Sequence, residues 1–246
     1  MKISNQRVEE IINFIKRLNL DKKYQKEFSH KQIKNIMYIE EALTHSSANS
    51  EINYENLEFL GDAVLRLIAS DFIKNKYPHM LVGERSELRS QLVSDQWLGE
   101  VGQKIEIGNV LIMGKKAIKD KSAKVTIQAE ATEALIGALY ESLTNLDPIK
   151  KWLIPFWDVK SKEVLADPHK KNYKSALQEF TQSKALSIPV YKTKEMHKKH
   201  DNPKRFFCTV HIKNLSIAEG WGKSIKQAEK NAASEALKFL EHNVIK

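Results

Sequence analysis

Apolar residues recur at helical spacing through the first two thirds of the chain. In residues 7–18, Val8, Ile11, Ile12, Ile15 and Leu18 fall on one face, which predicts an amphipathic helix. A short helix is expected over 39–49, ending in small polar residues. The densest pattern lies at 54–76. At about 100° per residue, Glu55, Glu58, Asp62 and Arg66 share one narrow stripe, while Leu57, Phe59, Leu60, Ala63, Val64, Leu65, Leu67 and Ile68 cover most of the remainder. A helix so apolar is expected to be buried on nearly every side, and it stops at Tyr77-Pro78. One continuous helix over 83–105, a flexible Gly/Lys-rich stretch over 108–125, a helix over 126–143 and a short helix broken at Pro155 complete this half. Strand signal is almost absent before residue 160.

Beyond residue 170 the period changes. Residues 171–184 read as a helix, 188–196, 205–214 and 215–223 alternate as strands do, and 224–242 read as a helix with Ala228, Ala232, Ala236 and Leu240 along its seam. The expected organisation is an all-α domain over 1–158, a linker over 159–170 and a small α+β domain of order αβββα over 171–246.

Charge sharpens this division. Residues 1–160 hold 23 Lys+Arg against 22 Asp+Glu, whereas 161–246 hold 17 against 9. A nearly neutral body with a basic C-terminal piece suits a polyanion-binding module, although a well-solvated basic surface has the same composition. No stretch approaches the apolar length of a membrane span, and the first residues lack the plan of a secretory signal. Cys208 is the single cysteine, so no internal disulfide forms, which fits a reducing, cytoplasmic setting.

The acids carry the chemistry. Three carboxylates on a buried helix repel one another and lose hydration, so they need cations or must take up protons. Glu130 and Glu133 stand on one face of the later helix, with Gly137 in the same sector, where a glycine admits close approach of another backbone. If the two acidic helices pack together, Glu58, Asp62, Glu130 and Glu133 meet in one pocket. Hard oxygen ligands at that density suit Mg²⁺ or Mn²⁺ and act on phosphodiesters. Taken alone, Glu130 and Glu133 are equally the solvated acids of an ordinary amphipathic helix. The sequence GKS at 222–224 imitates the end of a phosphate-binding loop, but the required first Gly falls at Ile217. Zinc-ligand spacing is lacking.

The run NLEFLGDAVL at 56–65 resembles the signature of the ribonuclease III family, and EALTHSS at 41–47, GERSELRSQLVS at 83–94 and EATEALIGALY at 130–140 follow the family's order. The C-terminal residues resemble a double-stranded-RNA-binding domain. The resemblance implies a Mg²⁺-dependent endonuclease, with Mn²⁺ able to substitute, that cuts both strands of RNA duplexes. It leaves 5′-phosphate and 3′-hydroxyl ends with short 3′ overhangs, works as a homodimer, and processes ribosomal RNA and other structured precursors. By matching positions, Glu58, Asp62, Glu130 and Glu133 are metal-binding acids, with Asp62 and Glu133 the catalytic pair. Glu55 supports substrate and dimer contacts, and Phe59 is the aromatic that plugs into the partner subunit; by pattern alone Phe59 is equally a core residue. The chain departs from the family in having Glu130 where Asp is usual and Val82 where an acid often precedes the glycine of the third block.

In the C-terminal domain the resemblance assigns Gln178 and Glu179 to the minor groove of the duplex. Lys223, Lys226 and Lys230 face phosphates flanking the major groove, and the loop at 196–206 makes a second minor-groove contact, where His200 is favoured over Asn202. Cys208 is expected in the core with Phe206, Val210 and Ile212. Two competing readings remain: a catalytically silent RNA-binding relative, which should lack the acids, and a phosphohydrolase of small nucleotides, which leaves the αβββα module unexplained.

Overall fold

The computed structural model describes residues 3–120, 123–167, 172–199, 202–213 and 215–244. These form two compact units, residues 1–164 and 165–246. In the first, helices α1 (Asn5–Arg17), α2 (Lys22–Gln25), α3 (Ile33–Ala42), α4 (Glu55–Lys76), α5 (Val82–Leu92), α6 (Asp95–Lys104), α7 (Lys115–Lys119), α8 (Lys124–Leu143) and α9 (Asp147–Leu165) surround one core.

The helix at the centre is α8, not α4. Ile127, Ala129, Ala131, Thr132, Ala134, Leu135, Ile136, Gly137, Ala138 and Leu139 are all buried, and α3, α4 and α6 pack around them. Small Ala and Gly side chains let neighbours close in from several sides. The expectation of an enclosed α4 is corrected. Leu57, Val64, Leu65, Ile68, Phe72 and Ile73 face the core, but Phe59 is 84% exposed and Leu67 57%. Together with exposed Ala63 they form an apolar stripe on the opposite side.

Three further expectations are revised. The helix expected over 83–105 is two helices, because Ser94 caps a new one by accepting the Trp97 N–H at 3.3 Å. The stretch expected to be flexible contains α7 and is tied to the start of the THSS run by paired hydrogen bonds, Ile112 N–H to Leu43 C=O and His45 N–H to Ile112 C=O. Helix α9 passes through Pro155 and takes in residues 159–165 of the expected linker. Trp157, Lys160, Ser161 and Val164 recur at helical spacing and are buried, and Trp157 Nε1 donates to Leu92 C=O at 3.0 Å. That stripe holds the helix together across the one backbone donor that proline removes. Residues 168–170 of the linker lie outside the described residues.

The second unit has the expected order: α10 (Tyr173–Ser183), β1 (Val190–Glu195), β2 (Phe206–Ile212), β3 (Leu215–Gly222) and α11 (Ile225–Val244). The sheet is antiparallel in the order β1-β2-β3, with Phe206 opposite Gly222 and a register shift between Val210 and His211. Cys208, Val210 and Ile212 face a core completed by Leu177, Ala228, Ala232, Ala236 and Leu237. Phe206 packs against its edge. A side chain at Gly220 would stand 2.2 Å from the Ala232 nitrogen, so the alanine seam of α11 lies directly on β3.

Candidate active site

Two glycines set the geometry. A Cβ on Gly61 of α4 would lie 2.0 Å from the Glu133 carbonyl oxygen, and one on Gly137 of α8 would lie 2.1 Å from that of Leu57. The helices therefore cross with backbones nearly touching. Glu58 and Asp62 flank Gly61 in sequence, and Glu130 and Glu133 lie one to two turns before Gly137. The crossing brings Glu58 within electrostatic reach of Glu130 and Glu133, and Asp62 within reach of Glu133.

The charges register this. Burial, then the carboxylates of Asp62 and Glu58 and a hydrogen bond with Asp62, push the Glu133 carboxyl up to about 8. The Glu58 carboxyl is also raised, by burial first and then by Glu130, Glu55 and Asp95. Other partners already engage two of the acids. Arg66 Nε donates to both Asp62 oxygens, at 2.6 and 2.8 Å. The Tyr54 hydroxyl donates to Glu130 Oε2. Glu55 is exposed one turn before Glu58 and adds to the negative charge there.

One further acid escapes the sequence reading. Asp95, the first residue of α6, raises both Glu58 and Glu133 through its charge. A single long helix over 83–105 hides it, and the Ser94-Asp95 start of a new helix was the available signal. Val82 is exposed, and Glu84 is committed to α5, accepting the Leu81 N–H at 2.9 Å. His45 is a packed residue: its Nδ1 accepts the Ser47 N–H at 2.9 Å and its ring meets Tyr54 edge-on.

Among the described residues, no three Asp, Glu, His or Cys side chains stand close enough together to hold a metal as they are. Their chemistry nonetheless fits a hard divalent cation. They offer only carboxylate oxygens, and burial with mutual repulsion leaves Glu133 holding a proton that a cation would displace. Glu58, Asp62, Glu130 and Glu133 could hold such an ion after side-chain rotation.

Residues 35–145 match the sequence pattern described as Ribonuclease-III-like, and residues 173–240 match the double-stranded RNA binding motif. The chain is 52% identical to Ribonuclease 3 of Prochlorococcus marinus, over 97% of its own length and 96% of the relative's. This chain belongs to the ribonuclease III family. It has the bacterial two-domain arrangement and is an endoribonuclease of the metal-dependent kind. Ribonuclease 3 of Acinetobacter baylyi is 34% identical over 85% of this chain and 91% of that one. Among solved structures, the ribonuclease III nuclease domain of Campylobacter jejuni aligns with a TM-score of 0.50 at 26% identity, covering 59% of this chain and 97% of that one; it was described for flexibility in its region involved in dimer formation.

The RNA-binding module of this ribonuclease III presents most of the expected residues outward. Gln178 and Glu179 are exposed on α10, while Leu177 and Thr181 anchor the same helix in the core. Ser224 caps α11 by accepting the Gln227 N–H at 3.2 Å, so Lys223 stands just before the helix and is exposed. Lys226 is exposed in the first turn, and Lys230 follows one turn later with Nζ 5.9 Å from the Tyr173 ring. His200 lies outside the described residues. Its loop is closed at the base by the Met196 N–H donating to Arg205 C=O at 2.7 Å.

Proposed function

We propose that this ribonuclease III hydrolyses both strands of RNA duplexes with Mg²⁺ as its ion, Mn²⁺ substituting, and that Glu58, Asp62, Glu130 and Glu133 hold it. The supporting observation is the crossing at Gly61 and Gly137, which sets acids of α4 against acids of α8. When bound, a hard divalent cation neutralises a phosphoryl oxygen and lowers the pKa of a coordinated water. Asp62 and Glu133 are the catalytic pair. Their carboxylates accept hydrogens from the attacking water and aim its oxygen at phosphorus, and Glu133 gives up its proton as the site charges. The water oxygen bonds to phosphorus as the P–O3′ bond breaks, the water's lost proton passes to solvent, the 3′ oxygen takes a proton from solvent, and the products are a 5′-phosphate and a 3′-hydroxyl. Glu55 supports substrate at the edge of the cluster.

The C-terminal domain supplies grip. Lys223, Lys226 and Lys230 meet phosphates, while Gln178 and Glu179 read the 2′-hydroxyl-lined minor groove, which distinguishes RNA from DNA. The homodimer forms through the exposed stripe of Phe59, Ala63 and Leu67. A surface cavity of about 330 Å³, lined by Lys34, Met37, Tyr38, Glu41, Glu51 and Ile52, has the size to receive the Phe59 ring of a second copy. The substrates are structured precursors such as ribosomal RNA, and the setting is the cytoplasm. No helix among the described residues is long and apolar enough to cross a membrane.

The test is cleavage of a long RNA duplex, with single-stranded RNA as control, in Mg²⁺ and in EDTA. Wild type should cut only the duplex, in Mg²⁺ and not in EDTA, while Glu133→Gln should bind the duplex without cutting it. Cleavage at the normal rate by Glu133→Gln refutes the assignment.

A further inference from the structure

Tyr54 immediately precedes α4 and is 3% exposed. Three contacts fix it. Its N–H donates to Thr44 C=O at 3.0 Å, its C=O accepts the Glu58 N–H at 2.8 Å, and its ring stands edge-on to His45 with centroids 5.3 Å apart. The His45 ring is itself held by the Ser47 N–H. From this rigid post the phenol reaches across to α8 and donates to Glu130 Oε2.

A glutamate reaching into an acidic cluster has three side-chain torsions to fix, with the like charge of Glu58 within electrostatic reach. One committed oxygen removes that freedom and leaves the other oxygen for an ion. We infer that Tyr54 is a positioning residue for the ion site, locking Glu130 so that one carboxylate oxygen is held by the phenol and the other is offered to the metal. Tyr54 and Glu130 then work as a pair, the phenol holding the end of the longer glutamate side chain. This inference rests on the metal-binding reading above.

Binding of Mn²⁺ to the full-length protein without RNA, followed by the electron paramagnetic resonance of the free ion, tests it. Tyr54→Phe keeps the buried ring and should weaken Mn²⁺ binding about ten-fold, the usual size of an outer-shell loss. In a Glu130→Asp background, where the carboxylate falls a methylene short of the hydroxyl, adding Tyr54→Phe should change the Kd less than about two-fold. His45→Ala retains the hydroxyl and should weaken binding less than Tyr54→Phe does. Melting in EDTA checks that each variant is folded. If Tyr54→Phe binds Mn²⁺ as wild type does while Glu133→Gln binds it weakly, the positioning role is wrong and the metal site stands. If Glu133→Gln also binds normally, the metal site itself is wrong. An equal Tyr54→Phe penalty in both backgrounds, or a larger loss from His45→Ala, shows that Tyr54 acts on the fold and overturns the inference.

Discussion

Gly137→Ala separates a helix-propensity effect from a close-contact effect, because the two have opposite signs. An alanine in a helix interior is favoured over glycine by about 1 kcal/mol. Here the new methyl would stand 2.1 Å from the Leu57 carbonyl oxygen and 3.0 Å from its carbon, both backbone atoms that no rotamer change can move. Relieving the overlap means parting α4 and α8 by about 1 Å, and overpacking of this kind costs about 1–3 kcal/mol or more. With backbone on both sides the upper end applies, and the net loss is about 2 kcal/mol. In a unit of this size that lowers the Tm by about 4–8 °C. Parting the helices also parts Glu58 and Asp62 from Glu130 and Glu133, so Mn²⁺ affinity should fall with stability. Gly83→Ala is the matched control, since nothing lies within 4 Å of a methyl there, and its Tm should hold or rise. Circular dichroism melts in EDTA together with a Mn²⁺ titration read both effects. If Gly137→Ala melts at or above the wild-type temperature and binds Mn²⁺ normally, the helices do not meet as described.

The Glu133 carboxyl, raised from its ordinary 4.5 to about 8, keeps a proton in the folded state that the unfolded chain releases, so the metal-free protein should lose stability as pH rises through that window. Glu133→Gln should flatten this dependence, and urea titrations at several pH values in EDTA would show it. Phe59→Ala should leave the melt of a dilute sample nearly unchanged, because the ring is 84% exposed, but weaken self-association at least ten-fold by sedimentation. Lys226→Ala should weaken duplex binding and reduce the slope of log affinity against log salt by about 1, with cleavage at saturating RNA unaffected.

Much of this was legible in the sequence, and the exceptions have physical causes. Alternation and the alanine seam placed the three strands and α11 within a residue or two, because a small domain with one core leaves each residue a single side to face. Glu58, Asp62, Glu130 and Glu133 were legible as a group because Gly137 shares a sector with the later pair. Gly61, the other half of the contact, went unremarked beside Asp62 in the same helix. The enclosed α4 was misjudged because a stripe apolar enough for a core, such as Phe59 and Leu67, has the same periodicity when it serves a surface. Asp95 was hidden by reading through a cap at Ser94, and the tether from Tyr54 to Glu130 spans 76 residues, a distance no local pattern encodes. Helix α9 outlasted Pro155 because tertiary burial of Trp157 and Val164 outweighed one missing backbone donor.

The most direct measurement is an anomalous difference map from a crystal of the full-length protein soaked in Mn²⁺. A peak is expected between α4 and α8, with carboxylate oxygens from both Asp62 and Glu133 at about 2.0–2.3 Å. A peak held by one helix alone, or no peak at millimolar Mn²⁺ in a crystal whose duplex-cutting activity is intact, would contradict it.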